Sequence, residues 1–122
     1  MSRARSGIML ATLAALAGCG EKIDAVQPAA CTATGEVTYQ GQIKPILDTL
    51  CAGCHASTLS GSARNGAPTA VDLDTYDEAA KHAAGASARI QNESMPPSGT
   101  KASPAQKELV TCWISGGLKE GP

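Results

Sequence analysis

The chain contains no Phe, one Trp and only two Tyr. Side chains of the size that fills a protein interior are therefore scarce, and 122 residues leave no room for a second domain. A large enzyme with a deep pocket is not expected. No sign of charge predominates: 10 Lys and Arg face 11 Asp and Glu, a formal net charge of -1. That balance argues against a nucleic-acid binder, because no cluster of phosphate-neutralising side chains exists. Strand-like alternation of any length is missing, and no internal repeat appears. Against these shortages stand 13 Gly, many Ala and five Cys. So many cysteines in so short a chain make the most informative feature of the composition.

The one long apolar run lies at the start. Arg3 and Arg5 precede Ile8 to Ala17, which is interrupted only by Thr12. This is the polarity order of a secretory signal, too short to span a bilayer as a stable helix. The run ends Leu16-Ala17-Gly18-Cys19 and resembles the lipobox of bacterial lipoproteins, in which the Cys becomes the first mature residue and carries lipid. Residues 1–18 are thus expected to be a signal peptide and residues 19–36 a lipidated N-terminus and tether. Acyl chains on Cys19 would anchor a protein facing the periplasm. By the same resemblance, Gly20 in place of Asp favours the outer membrane over the inner one. Ordinary cleavage between Ala15 and Gly20, leaving a soluble secreted protein, is the alternative.

Beyond residue 18 only nineteen Ile, Leu, Val, Met, Trp and Tyr remain to build a core. Such a domain is marginal by surface-to-volume arithmetic, so a disulfide, a metal or a cofactor is expected at its centre. The remaining pattern is helical. Tyr39, Ile43, Ile46, Leu47 and Leu50 share one face of a helix that starts at Gln42 or Ile43, with Pro45 in its first turn. Residues 56–71 form a Ser-, Gly-, Ala- and Asn-rich loop. Asp74 is expected to cap a short helix carrying Tyr76, Ala79, Ala80 and Ala83 inward, with Gly85 as its stop and another turn or two over Ala86 to Gln91 carrying Ile90 inward. The last helix has Ser103 as N-cap, Pro104 at N1 and Gln106 at N3. Leu109, Val110, Trp113 and Ile114 form its buried stripe, and Gly116-Gly117 ends it. The fold class is all-α, with three to five helices and long loops.

Cys51-Ala52-Gly53-Cys54-His55 matches the haem attachment pattern of c-type cytochromes. Two thiols three apart add to the two vinyl groups of one haem edge, and the next residue presents an imidazole to the iron. Three other uses of these residues are weighed beside it. A thioredoxin-like redox pair belongs at a helix start after a strand, and no strand is expected here. Zinc ligation with His55 or His82 lacks a second pair of donors. A plain structural disulfide is the third.

The cysteine arithmetic then closes. Cys19 takes lipid, Cys51 and Cys54 take haem, and Cys31 and Cys112 remain to bridge, unless Cys112 is a buried free thiol. Haem iron in electron carriers takes a second axial side chain, Met or His. Met95 is the only Met after Cys19 and precedes Pro96-Pro97, which stiffen its loop. His82 is the rival, read as a surface residue beside Lys81, while Met95 could also be a filler of an irregular core gap.

From Val37 to Leu118 the chain resembles a small monohaem domain of the class I cytochrome c type. It is especially similar to bacterial domains that carry Ile-x-Pro-Ile-Leu (Ile43 to Leu47), the Cys51 to His55 motif, Met-Pro-Pro (Met95 to Pro97) and a final Trp-Ile-x-x-Gly helix (Trp113 to Gly117). The resemblance implies a cytochrome c-like domain over residues 37–122. It also implies one covalent haem c, with His55 and Met95 on the two faces of its iron. The lack of Phe and the extra Cys31–Cys112 bridge depart from the family pattern.

The function expected is one-electron transfer in the bacterial cell envelope, with no enzymatic activity and with envelope redox proteins as partners. On this reading the protein is an iron-containing, metal-binding lipoprotein. The alternative is a small-gas binder or sensor in which Met95 leaves the iron. A peroxidase would need an open haem and a second one, and the chain has a single attachment motif.

Overall fold

Thr38 opens the helical part of the chain. Its Oγ1 accepts the Gly41 N–H at 3.1 Å, while its own N–H is bonded to Gln42 Oε1 at 2.9 Å. This reciprocal cap starts the helix three residues earlier than the periodicity predicts, through a wide π-helical turn, Tyr39–Ile43, that leads into α1, Lys44–Leu50. Pro45 sits in the first turn of α1, where its missing N–H costs nothing. A Cβ on Gly41 would meet Thr38 Oγ1 at 2.9 Å, so the cap requires a glycine there.

This computed structural model describes residues 31–122. The expected signal segment 1–18, Cys19 and the tether up to residue 30 lie outside the described residues. Among those described there are three α-helices and no strand, in agreement with the all-α expectation. No described helix is long and apolar enough to cross a membrane.

A 3-10 turn, Gly61–Arg64, interrupts the long loop after α1. The second helix, α2, runs over Tyr76–Gln91 and corrects two expectations. Thr75 rather than Asp74 is its N-cap; the Asp74 carboxylate instead accepts the backbone N–H and hydroxyl of Ser57 at 3.0 and 2.8 Å. Gly85 does not stop the helix. Ala83 before it and Ile90 after it are both buried, and their packing outweighs the roughly 1 kcal/mol by which glycine disfavours a helix interior. The chain turns out only at Asn92 and Glu93, which has φ of +62°.

The third helix, α3, spans Pro104–Ser115 as expected, with Ser103 and Gln106 forming a complete capping box. It packs on α2 and on the Tyr39–Ile43 turn. Val110, Cys112 and Trp113 are its buried residues. The three aromatic side chains meet at this junction: the Tyr39 ring is 5.7 Å from Tyr76, edge to face, and 6.1 Å from Trp113. The chain end closes over them, because the Lys119 carbonyl accepts both the Tyr39 N–H at 2.8 Å and Trp113 Nε1 at 2.9 Å.

The Cys31–Cys112 disulfide is present, linking the segment before the first turn to α3 with Cα atoms 4.9 Å apart. Thr32 reinforces the tie by donating its N–H to Glu108 of α3 at 2.8 Å. The small core that results takes in Leu47 of α1, Leu73 of the loop and Ala79, Ala83 and Ile90 of α2. Beside it, α1, the loop and α2 leave a gap.

Candidate functional site

The gap between these elements is a cavity of about 500 Å³ with mostly apolar walls, within the range of small-molecule and cofactor sites. Cys51 is the C-cap of α1, and the chain continues from it in one tight turn: the N–H groups of Cys54 and His55 both donate to the Cys51 carbonyl, at 3.0 and 2.9 Å. Both thiols and the imidazole consequently lie along one wall of the cavity. Pro68, Val71 and Leu73 come from the loop, Gly85, Ala86 and Ile90 from α2, and Met95, Pro96 and Pro97 from the segment that follows. Gly85 stands at the cavity wall, with open space where a Cβ would be.

His55 is held in one orientation. Its Nδ1 lies 2.9 Å from the Val71 carbonyl oxygen, which can only accept, so Nδ1 carries the proton. The Nε2 lone pair is left for a ligand, and the backbone partner fixes the ring as second-shell carbonyls do for metal-bound imidazoles. Leu73 N–H donates to the His55 carbonyl at 2.8 Å and locks the same stretch from the other side.

The two motif thiols are not bonded to each other, whereas Cys31 and Cys112 are. Burial, with a smaller contribution from the neighbouring Cys54, pushes the Cys51 thiol up to about 11. A redox-active dithiol needs the reverse, a thiol whose ionisation is made easy. Among the described residues no strand precedes the motif, and the thioredoxin-like alternative loses its structural context there.

The expectation of a metal-binding site is corrected. Among the described residues no group of three or more His, Cys, Asp and Glu converges to hold an ion. A structural zinc site needs four donors about 2.0–2.3 Å from one ion, and Cys51, Cys54, His55 and His82 form no such group. Among the described residues, protein side chains build no ion site of their own.

Met95 and His82 both reach the cavity. The Met95 N–H donates to the Arg89 carbonyl at 3.2 Å, and Lys101 Nζ donates to the Pro96 carbonyl, so the segment is tied down on both sides of the thioether. His82 is not the surface residue read from its neighbour Lys81. Its Nε2 is buried, 3.4 Å from Glu78 Oε2 but without the alignment of a hydrogen bond. His82, Gly85, Ala86 and Arg89 stand at helical spacing on one face of α2, and that face lines the cavity.

Sequence reading missed Arg64 entirely. Set among Ser, Gly and Asn it reads as a solvated loop residue, yet it is only 3% exposed. Its guanidinium donates to the carbonyls of Ala56 and Pro68 at 2.9 and 2.8 Å and to Val71 at 3.0 Å. Longer bonds run to Leu59 and Ala67. Asp72 Oδ1 lies 2.9 Å from Nη1 as a charge contact, outside hydrogen-bond alignment. No signal in the sequence distinguishes this arginine from an exposed one.

No family model matches the chain, and no curated protein or solved structure is significantly similar to it.

Proposed function

We propose that this protein is a one-electron carrier built around a single covalently attached c-type haem. The observation that carries the reading is the wall formed by Cys51, Cys54 and His55 on an apolar cavity that Met95 also lines, with His55 Nδ1 bonded to Val71. The donor set and the cavity fit a flat, apolar ring that brings its own four nitrogen donors, and no free ion is part of the proposal.

Each thiol would add its S–H across one vinyl group, sulfur to one carbon and hydrogen to the other. Cys51 and Cys54, three residues apart on one turn, suit two vinyls on one edge. His55, through Nε2, and Met95, through its thioether, would hold the iron. The bound haem supplies a ferric/ferrous couple, and a Met ligand favours the ferrous form relative to His. What the chain contributes is orientation and exclusion of water. Val71 fixes the imidazole, and Pro96, Pro97 and the bonds to Arg89 and Lys101 restrain the thioether. With His55 and Met95 both holding the iron, no open site would be left for a substrate, in keeping with a carrier instead of an enzyme.

Export and a lipid on Cys19 complete the proposal: haem is attached to such motifs outside the cytoplasm, and the anchor would hold the carrier beside envelope redox proteins. The decisive experiment is an absorption spectrum of oxidised and reduced protein, exported in a host that matures c-type haem, followed by denaturation in acid solvent. Haem that stays with the polypeptide supports the reading. Haem that washes away, with no thioether-linked mass, refutes it.

A further inference from the structure

The Val71 carbonyl receives two donors, His55 Nδ1 at 2.9 Å and Arg64 Nη2 at 3.0 Å. From this we infer that Arg64 is a positioning residue for His55 that sets the electron-donating strength of its imidazole through the Val71 carbonyl. The inference rests on the haem reading for its redox consequence, but the contact itself does not.

A carbonyl oxygen has two lone pairs and can accept from both partners. Two donors share its electron density, so each bond is weaker than it would be alone. The guanidinium is permanently charged, planar and nearly fully buried, so its pull on that oxygen is strong and little screened. The His55 Nδ1–H bond is correspondingly weakened, and the imidazole keeps less of the anionic character that a strong acceptor would induce. A less basic imidazole is a poorer donor to ferric iron. The buried positive charge acts in the same direction, since it disfavours the more positive oxidation state.

Arg64 also fixes where the carbonyl lies. Its Nη1 holds Ala56, the residue after His55, while Nη2 holds Pro68 and Val71. One side chain thereby clamps both ends of the loop that leaves His55 and returns to it. Asp72 opposes the arginine electrostatically from 2.9 Å, and its side chain is 19% exposed. Removing the arginine and removing the aspartate should therefore move His55 in opposite senses.

The test reads two quantities in purified, reduced protein: the midpoint potential, and the proton resonance of His55 Nδ1–H. Arg64→Gln should lower the potential and move that resonance downfield, as the bond to Val71 strengthens. Asp72→Asn should raise the potential and move the resonance upfield. Arg64→Lys should fall between wild type and Arg64→Gln, because it keeps the charge but loses the fork. Shifts of both variants in one direction, or folded variants in which neither quantity moves, would overturn the inference and leave Arg64 as a loop organiser. If Arg64→Gln does not fold, Asp72→Asn decides alone. If the wild-type protein carries no haem while Nδ1–H still answers to Asp72→Asn, the carrier reading falls and the role of Arg64 stands. If haem is present and both readouts are inert, the reverse holds.

Discussion

Cys31 and Cys112 are joined across 81 positions of chain, and the bridge pins the segment entering the first helical turn to the buried side of α3. Closing a loop of that length restricts the unfolded chain by roughly 4 kcal/mol in the chain-entropy model. In a domain with so few large apolar residues this is a major share of the stability. Cys31→Ser should lower the melting temperature by about 10 °C or more while leaving the visible spectrum almost unchanged, because neither sulfur lines the large cavity. Peptide mapping without reduction should recover the two residues linked.

Cys51→Ser or Cys54→Ser should each impair haem attachment, and the double variant should abolish it and leave a largely unfolded chain. The cavity between α1, the loop and α2 is too large to stay empty at no cost, and the remaining core is too small to compensate. Haem staining of denaturing gels, with far-ultraviolet circular dichroism on the same samples, measures both effects. A double variant with undiminished helix content would contradict the second.

Met95 and His82 line the same cavity, and their single variants assign the distal ligand. Met95→Ala should abolish the weak long-wavelength charge-transfer band of Met-ligated ferric haem, lower the potential and let carbon monoxide bind the reduced iron. His82→Ala should leave that band in place. The opposite pattern would make the haem bis-histidine. Ready carbon monoxide binding by the wild type would favour gas sensing over electron transfer.

Gly85 offers a steric test. Its Cβ direction is open, so Gly85→Ala should be tolerated and should stabilise α2 by up to about 1 kcal/mol. Gly85→Leu has the same helical advantage but introduces a branched side chain at the cavity wall. Haem content per polypeptide should drop severalfold in the leucine variant and stay near wild type in the alanine variant.

Asp74 links folding to acid. Burial by itself would raise its pKa, but the two Ser57 bonds and the Arg64 charge outweigh it, and the carboxyl is held below its ordinary value. A carboxylate depressed in the folded state stabilises it above the unfolded pKa and loses that contribution as pH falls through the folded one. Asp74→Asn should therefore be less stable than wild type near neutrality, with the difference shrinking below about pH 4. Chemical denaturation at a series of pH values checks this, and a constant difference would assign the effect to packing alone.

Much of the framework is legible from local chemistry. Ser103, Pro104 and Gln106 act within one turn, so the start of α3 follows from neighbours three residues apart. The Cys31–Cys112 bridge is the pair that counting leaves once lipid is expected on Cys19 and haem on Cys51 and Cys54. The Cys51 to His55 motif is equally local, a single turn in which spacing alone puts two thiols and an imidazole on one wall.

The early helix start at Thr38 is a local cap, but the other departures involve contacts between distant segments. Gly85 reads as a stop because glycine weakens a helix, but burial of Ala83 and Ile90 carries α2 through it. Asp74 reads as a cap, yet Ser57, seventeen residues earlier, takes its carboxylate. Arg64 carries no sequence sign of burial, and only the folded loop gathers the carbonyls that its charge requires. Residue type and spacing determine the local turns, the caps and which side chains can act as ligands. Tertiary packing decides which of them face the cavity and which buried charge lies behind them, because those outcomes depend on groups that the linear chain does not bring together.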